Sequence, residues 1–344
     1  MRTEINSLGE FGLIKRLTKH IKLKNPNSVK GVGDDAAVLE YKNSEVLITS
    51  ELLLEGIHFD LIYTPLKHLG YKAAIVGFSN IYAMNGQPKQ ITVSLGISKR
   101  FSVEDLEEFY SGIELACEIY GVDIIGGDTT SSLTGLCIGV SCIGEAPKDK
   151  IVYRNMAKVT DLIYVSGDLG AAYMGLQLLE REKTAFNGEE DFSPDFAGKE
   201  YLLERTLKPE ARKDIIRLLA ENKLHPTSMI DISDGLSSEL IHLCSQSGTG
   251  CDIYEERIPI DFQTAFMAEQ FNMNVTTVAL NGGGDYELLF TLPLSEHERA
   301  ESIEGIKLIG SMTDKASGMN LITRDKTQIA LTAQGWKEEE KQKR

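Results

Sequence analysis

Apolar positions in the first half of the chain follow two different periods. The alternation over residues 90–97 predicts a strand, and the apolar spacing within residues 66–84 predicts a helix. Residues 103–120 are predicted as a second helix, because Ser102 can cap it and its first turn is acidic. Further elements are predicted as a helix at 10–20 and strands at 46–49, 122–125 and 136–143. This half therefore has the pattern of an α/β domain.

The second half repeats strands and helices after a polar, proline-containing segment at residues 146–150. We take this segment as the domain boundary, which predicts an N-terminal domain over 1–147 and a C-terminal domain over 148–344. The charged residues 181–198, with few aliphatics, are expected to form a loop or insertion. The other predicted elements are strands at 162–166, 229–232, 288–292, 306–309 and 321–322, and helices at 170–180, 209–219 and 235–245.

Four glycine–aspartate motifs lie beside apolar segments. They read Gly-Val-Gly-Asp-Asp at 31–35, Gly-Gly-Asp at 126–128, Asp-Ile-Ser-Asp-Gly at 231–235 and Gly-Gly-Gly-Asp at 282–285. We expect each motif in a tight turn at the end of a buried strand, where carboxylates distant in sequence can converge. Convergent carboxylates repel unless cations neutralise them, and hard oxygen ligands suit Mg²⁺. Magnesium with glycine-rich turns indicates bound phosphates, and so a nucleotide-phosphate enzyme.

Each motif also has a simpler structural interpretation, and at this stage both stay open. Asp34 and Asp35 can lie in a solvated turn, and residues 126–132 can be a hydroxyl-rich surface turn. Ser233 or Asp234 can be a helix N-cap, which would explain one acid. The glycines at 282–284 can mark a hinge, and a lone histidine such as His58 is more often structural.

The sequence lacks the usual signatures of several other enzyme classes. It contains no GxxxxGK[ST] phosphate loop, no GxGxxG motif opening a helix after the first strand, no HExxH motif and no GxSxG elbow. A chain of 344 residues with 42% hydrophobic and 25% charged residues is expected to form two globular domains. Its formal net charge of −15 argues against a nucleic-acid partner and against an anionic membrane surface.

Two observations predict a cytoplasmic protein. No apolar run approaches the roughly 18 residues needed to span a bilayer, and the N-terminus has no apolar signal region. The five cysteines include no CxxC pair and are predicted to be buried small hydrophobic residues rather than redox or metal-binding groups. Such cysteine usage is typical of a reducing compartment.

In their order and spacing, the motifs resemble the thiamine-monophosphate kinases, which are grouped with the ATP-dependent aminoimidazole-ribonucleotide and selenophosphate synthetases. The matching stretches are residues 31–38, 54–59, 126–129, 231–236 and 285–288. The resemblance, which covers almost the entire chain, implies a two-domain fold of mixed α/β and α+β class. An N-terminal sheet domain would pair with its twin in a homodimer, and a C-terminal α+β domain would follow. It also implies ATP- and Mg²⁺-dependent phosphorylation of thiamine monophosphate to the diphosphate.

The resemblance further implies roles for individual residues. No catalytic side chain is implied, because such a mechanism positions two phosphates in line while metal ions neutralise charge. Trp336 could pack against the flat cationic substrate. The implied metal positions are Asp35, Thr49, Ser50, Glu51, Asn80, Asp128, Asp231 and Asp234. The implied nucleotide positions are Gly127, Asp128, Arg154 and Ser233, and the implied substrate positions are His58, Gly284 and Trp336.

Three of these positions depart from the family pattern. Glu51 and Asn80 stand where the family has aspartate, and Gly284 stands where it has a glutamate that contacts substrate. Glu51 keeps its charge but reaches one methylene further, while Asn80 loses a negative charge, and Mg²⁺ tolerates distorted coordination poorly. Three hypotheses follow: an active kinase, a paralogue that binds nucleotide or thiamine phosphate without turnover, or a relative with another phosphate acceptor. We favour the first, because the acids at 35, 128, 231 and 234 remain.

Overall fold

The computed structural model describes residues 16–30, 38–42, 44–186 and 194–333, and these form two compact units. The first unit groups Met1–Ile151 with Leu179–Asp195 and Leu207–Ile216. The second unit groups Val152–Leu178 with Phe196–Thr206 and Arg217–Arg344. The predicted domain boundary at residues 147 and 148 stays a prediction, and each unit is described by itself.

The first unit contains two sheets and two long helices in its described part. Its elements are β1 (Ser28–Lys30), β2 (Val38–Leu39), β3 (Glu45–Leu54), α1 (Leu66–Tyr82), β4 (Gln87–Ile97), α2 (Val103–Tyr120), β5 (Asp123–Ser131) and β6 (Cys137–Ala146). Strands β1 and β2 pair with each other, and the larger sheet has the order β3-β6-β4-β5. Only the β4–β5 pair of this larger sheet is parallel.

Helix α2 begins and ends where its sequence predicts. Ser102 Oγ accepts a hydrogen bond from the Asp105 N–H at 3.2 Å, and Asp105 Oδ2 accepts one from the Ser102 N–H at 2.6 Å. This capping box satisfies two amide groups that the first helical turn leaves without partners. The helix ends at Gly121, whose left-handed conformation is accessible to glycine at little cost.

Helix α1 covers one face of the four-stranded sheet. It contacts β3, β6 and β4, and α2 packs against it. Fully buried side chains of both helices, such as Phe78 and Phe109, join Val93 and Val140 of the strands in one core. On β3 the burial alternates, so that Leu47 and Leu53 point into this core, while Val46, Ile48, Ser50 and Leu52 face the other way.

The second unit is built on one large twisted sheet. Its elements in chain order are β7 (Leu162–Ser166), α3 (Ala171–Ala185), α4 (Glu200–Leu207), α5 (Lys213–Glu221), β8 (Ser228–Ile232), α6 (Leu236–Ser247), β9 (Thr249–Tyr254), α7 (Phe262–Gln270), α8 (Val275–Asn281), β10 (Glu287–Leu292), α9 (His297–Glu301), β11 (Ile306–Asp314), β12 (Met319–Ile322) and β13 (Gln328–Ala330). Helices α3, α4 and α5 each include residues that group with the first unit.

This sheet has the strand order β13-β12-β9-β11-β7-β10-β8. All of its neighbouring strands are antiparallel except β12 and β9. Helix α6 contacts β8 and β9 and buries Leu240 and Leu243 against them. Strand β8 is buried along its whole length and leads directly into the turn before α6.

Three predicted elements differ from the structure. The predicted loop at 181–198 is wrong at its start, because α3 continues to Ala185 through residues with good helix propensity. Residues 187–193 of that prediction lie outside the described residues. The helix predicted at 209–219 begins only at Lys213. Glu210 lies before it, outside any helix or strand, and accepts hydrogen bonds from Tyr71 and Tyr120 at 2.6 and 2.7 Å. The strand predicted at 122–125 continues to Ser131.

Candidate functional site

Three of the predicted metal positions meet between β3 and α1 in the first unit. Asn80 Nδ2 donates to Glu51 Oε1 at 2.6 Å and lies 3.2 Å from Thr49 Oγ1. Thr49 Oγ1 in turn lies 3.5 Å from Glu51 Oε1. The extra methylene of Glu51 thus lets its carboxylate reach the amide of Asn80. A hydrogen bond to a charged acceptor is stronger than a neutral one, so the cluster is held together by its own side chains.

Ser50 and Asp128 face the other side of the same sheet. Ser50 Oγ lies 3.2 Å from Ser141 Oγ, and Asp128 stands opposite Ser94 in the β4–β5 register. The expectation of a tight turn at Asp128 is wrong, because β5 runs through both glycines and keeps its pairing with β4. Strands β3 and β5 are the two edges of the sheet, about 14 Å apart at three strand spacings. Within this sheet, Ser50 and Asp128 therefore do not share one ion.

His58 lies on an exposed loop that follows β3. Its Nδ1 accepts a hydrogen bond from the Leu54 N–H at 3.0 Å. In the neutral ring the proton is then on Nε2, which leaves an N–H donor on the exposed side. His58 is thus oriented by backbone and available to an external acceptor.

The Asp-Ile-Ser-Asp-Gly motif of the second unit forms the turn between β8 and α6. Asp231 is the buried penultimate residue of β8, and Asp234 is exposed. The alternative interpretation, in which Ser233 or Asp234 caps the helix, is wrong, because the N-cap is Gly235 and no side chain caps it. Glu239 Oε1 accepts from the Ser233 and Asp234 N–H groups at 3.1 and 2.8 Å.

Glu239 is a site residue that the sequence interpretation missed. It is 2% exposed, and its Oε2 atom is buried without a hydrogen-bond partner. Burial, with a smaller contribution from the charges of Asp234 and Asp231, raises the pKa of Glu239 to about 7, although the two backbone hydrogen bonds oppose the shift. An acid in the first turn of the helix predicted at 235–245 was the available signal.

The chemistry of these carboxylates fits a divalent cation. Asp231, Asp234 and Glu239 gather negative charge around one turn, and one buried oxygen has no donor. All the candidate metal ligands are hard carboxylate oxygens, which Mg²⁺ prefers. Among the described residues, however, no group of three or more His, Cys, Asp or Glu side chains is placed so that it could hold a metal ion.

Arg154 lies beside α6, with its backbone at the C-terminal end of the helix. Its backbone carbonyl accepts a hydrogen bond from Ser247 Oγ at 3.2 Å. The pKa of His242 on α6 is lowered by burial and by the positive charge of Arg154, while Asp234 opposes the shift. A cation, a histidine and the acidic turn are therefore near enough to influence one another, and His242 is a second residue that the sequence interpretation did not single out.

Gly284 lies in a glycine segment that packs on this turn. The Gly284 N–H donates to the Ser233 carbonyl at 2.8 Å, and the Tyr286 N–H donates to the Ile232 carbonyl at 2.9 Å. A side chain at Gly284 would find open space, with the Ala172 Cβ atom the nearest at 3.5 Å, but the φ of +87° strains any other residue. Asp35 and Trp336 lie outside the described residues.

Comparison with known proteins extends these local observations to the whole chain. Residues 33–146 match the family described as AIR synthase related protein, N-terminal domain. The chain is 34% identical over 319 residues to the thiamine-monophosphate kinase of Aquifex aeolicus (strain VF5), covering 90% of this chain and 97% of that protein. It is 30% identical over 335 residues to the thiamine-monophosphate kinase of Bacillus subtilis (strain 168), covering 96% and 99%.

The chain belongs to the thiamine-monophosphate kinase family. The solved structure of AaThiL complexed with AMPPCP and TMP is similar at a TM-score of 0.72 and 32% identity, with 95% of this chain and 96% of that chain covered. The hydrogenase maturation protein HypE in complex with ATP has a TM-score of 0.74 at 18% identity over 93% and 94%, which shows the fold alone.

Membership of the thiamine-monophosphate kinase family confirms three predictions made from the sequence: the family resemblance, the mixed α/β fold of the AIR synthase type and the enzyme class. All five cysteines are free thiols, and the prediction that they are buried is confirmed for four and wrong for Cys137, which is only partly buried. No helix within the described ranges is both long and apolar enough to cross a membrane.

Proposed function

We propose that this protein uses ATP and Mg²⁺ to phosphorylate thiamine monophosphate, giving thiamine diphosphate and ADP. The observation that carries the proposal is the 32% identity over 95% of the chain to a family member solved with AMPPCP and TMP. A phosphate oxygen of thiamine monophosphate would form a bond to the γ-phosphorus as the bond to the β–γ bridging oxygen breaks. No side chain has to act as nucleophile in this step.

The residues of the second unit have separate proposed tasks at the nucleotide. Asp231 and Asp234 would hold Mg²⁺, which when bound supplies positive charge against the phosphates. Glu239 fixes the backbone between these two acids through its bonds to Ser233 and Asp234. Arg154 adds a cation near His242 of α6. In the first unit, Gly127 and Asp128 keep their proposed nucleotide roles, and Asp35 its metal role.

The residues Glu51 and Asn80, where the resemblance implies aspartates, favour a protein in which this position depends less on a bound metal ion to hold its side chains together. The 2.6 Å hydrogen bond between the two side chains holds them without a cation. Thr49 keeps its proposed metal-binding oxygen beside them, and Ser50 keeps its own on the other face of the sheet. Gly284 removes a side chain from the proposed substrate side, where His58 and Trp336 would remain. The alternative is a paralogue that binds nucleotide or thiamine phosphate without turnover.

The exposed face of β3 supports a homodimer. Val46, Ile48, Leu52 and Leu54 are between 36% and 72% exposed on one side of the strand. Four apolar side chains on one edge strand form a patch of the kind that marks protein interfaces. A second copy of this chain is the partner we propose for it. Free cysteines support a cytoplasmic location, where thiols stay reduced.

Chromatographic detection of thiamine diphosphate, formed from ATP, Mg²⁺ and thiamine monophosphate, tests the proposal. We expect product from the parent protein, none in EDTA, and at least a tenfold lower rate from Asp231→Asn. Asp149→Asn, a charge change at a side chain 78% exposed beside Lys150, is the matched control and should leave the rate unchanged.

Calorimetry with AMPPCP and Mg²⁺ separates the two candidate functions. Nucleotide binding without any product would favour the non-catalytic paralogue. Absence of both binding and product would contradict the proposed function in either form.

A further inference from the structure

The geometry points to Arg205 and Asp285 as positioning residues that hold the glycine segment 282–286 against the turn carrying Asp231 and Asp234. The importance of that turn for nucleotide and metal rests on the proposed function. The two residues lie outside the implied ligand positions, and all the contacts that carry the inference lie within the second unit.

The backbone of the glycine segment lies directly on the backbone of the acidic turn. A Cβ atom at Gly283 would be 2.5 Å from the Ser233 carbonyl oxygen, so only glycine permits this approach. The amides of Gly284 and Tyr286 donate to the carbonyls of Ser233 and Ile232. The position of Asp231 and Asp234 is therefore tied to the position of this segment.

The segment is held in a conformation that it would not adopt by itself. Gly284 has φ +87°, and Tyr286, which is not glycine, has φ +53°. A left-handed conformation is strained at a bulky residue and persists only where the surroundings enforce it. The flanking residues Asp285 and Glu287, both 1% exposed, are the groups placed to enforce it.

The carboxylate of Asp285 links the glycine segment to the start of α3 by hydrogen bonds. Its Oδ2 accepts from the Gly170 N–H at 2.7 Å, and its Oδ1 accepts from the Ala172 N–H at 3.1 Å. These amides belong to the first turn of the helix, where N–H groups lack helical partners and a negative charge is favourable. One carboxylate thus joins a loop and a helix that are more than a hundred residues apart in sequence.

Arg205 of α4 also holds the segment. Its Nη1 donates to Glu287 Oε1 at 2.8 Å, and its Nη2 donates to the Asp168 carbonyl at 2.9 Å and lies 3.5 Å from Asp285 Oδ1. Glu287 is held from behind by Ser166, whose hydroxyl donates to it and accepts from the Leu288 N–H. The planar guanidinium is the one side chain able to reach all three acceptors at fixed angles.

The charges make this arrangement dependent on Arg205. Three carboxylates, those of Asp168, Asp285 and Glu287, surround a guanidinium whose side chain is 17% exposed. Removing one partner of a buried ion pair leaves the others without compensation, which is far more disruptive than removing an exposed pair. Loss of Arg205 should therefore release the segment, and with it the carbonyl contacts to Ile232 and Ser233.

The test compares Arg205→Met with Arg217→Met in the full-length protein. Arg217 is a helical arginine 75% exposed beside Glu221, so its variant controls for loss of a positive charge. In folded Arg205→Met we expect hydrogen exchange at the Gly284 and Tyr286 amides to rise roughly tenfold or more. We also expect the affinity for Mg²⁺ with AMPPCP to fall about 10–100-fold, as when groups supporting metal ligands are lost. Arg217→Met should match the parent in both measurements.

Two further variants keep the inference testable if Arg205→Met does not fold. Arg205→Lys keeps the positive charge but loses the planar guanidinium with its several N–H donors. Its hydrogen exchange and its affinity should lie between those of the parent and those of Arg205→Met. Asp285→Asn should raise exchange at the Gly170 and Ala172 amides as well. The inference would be overturned if the folded variants had the same hydrogen exchange and the same affinity as the parent. It would also be overturned if the loss of affinity disappeared after correction for the fraction of unfolded protein. Faster exchange in a protein that makes no thiamine diphosphate would support the inference while the proposed function fails.

Discussion

Asn80 and Glu51 form a contact whose energetics depend on one amide nitrogen. The amide donates to the carboxylate at 2.6 Å, and hydrogen bonds to charged groups contribute about 1.5–3 kcal/mol. A carboxylate in place of the amide would instead put two negative charges at the same separation. Such a pair is stable only if a cation or a proton lies between its members.

The reversion Asn80→Asp should therefore make stability depend on metal. In EDTA at pH 7.5 we expect the free energy of unfolding of the variant to be about 1–3 kcal/mol lower than that of the parent. Added Mg²⁺ should restore part of the lost stability of the variant, and it should raise the stability of the parent by a smaller amount. Urea unfolding with and without Mg²⁺ measures both effects, and Asn85→Asp, whose amide donates to the Lys150 carbonyl, controls for the charge. A variant as stable as the parent in EDTA would contradict this account of the contact.

Asp285 predicts a pH dependence of stability. Burial raises the pKa of its carboxyl to about 6, although Arg205 and two backbone N–H groups oppose the shift. The unfolded value is about 3.9, so the ionised form is disfavoured in the fold by about 3 kcal/mol. This contribution to stability is complete below about pH 4 and is lost as the pH rises through the folded-state value.

Comparison with Asp285→Asn isolates this group. Between pH 4 and pH 7 the free energy of unfolding of the parent should fall, relative to the variant, by up to about 3 kcal/mol. Urea denaturation at several pH values provides the measurement. A difference that stays constant, or that grows in favour of the parent with rising pH, would show that the buried carboxyl is not destabilised by ionisation.

At the residue scale, the sequence interpretation located acids but not their partners. Asp231 and Asp234 could be singled out because strand and turn patterns surround them. Glu239 was missed because a first-turn acid is common in helices, and only the structure shows both bonds to the turn. Arg205 was not predictable, because its contacts to Glu287 and Asp285 join positions 82 and 80 residues apart.

The elements show which local signals determine structure. Helix α2 was predictable over its whole length, because Ser102, Asp105 and the apolar spacing all agree. Strand β5 was predicted too short, because a glycine pair usually ends a strand and here its pairing with β4 overrides that tendency. Strand β9 and helix α7 were not predicted, and tertiary packing rather than periodicity defines them.

Strand β3 predicts an association of two copies. Ile48, which at 72% is the most exposed of the four apolar side chains on this face, is the position most sensitive to a buried charge. We expect Ile48→Lys to raise the dimer dissociation constant at least tenfold, because an unpaired charge is costly in an apolar interface. Sedimentation equilibrium checks this, with Ile119→Lys on α2 as a control at a 50% exposed isoleucine. A parent that is monomeric at every concentration would contradict the proposed dimer.

The whole molecule combines motifs that resemble those of the family with three positions where the resemblance implies other residues. Ordered motifs across the chain sufficed to predict the family, and relatives about one third identical over at least 90% of the chain confirm it. The sequence could not show that Glu51 and Asn80 bond each other, because helix and strand must be packed before the extra methylene has a target. Glu51 and Asn80, which the sequence interpretation treated as two separate departures from the family pattern, thus form one hydrogen-bonded pair in the structure.

Thiamine diphosphate formation by the unaltered chain is the most direct test of this account. Parent, Asn80→Asp and Asp231→Asn should be assayed together with ATP, Mg²⁺ and thiamine monophosphate. Asn80→Asp is a cleaner reversion than Gly284→Glu, because the φ of +87° at Gly284 would strain a glutamate. We predict turnover by the parent that is lost in Asp231→Asn. No product from the parent, with turnover restored in Asn80→Asp, would contradict it.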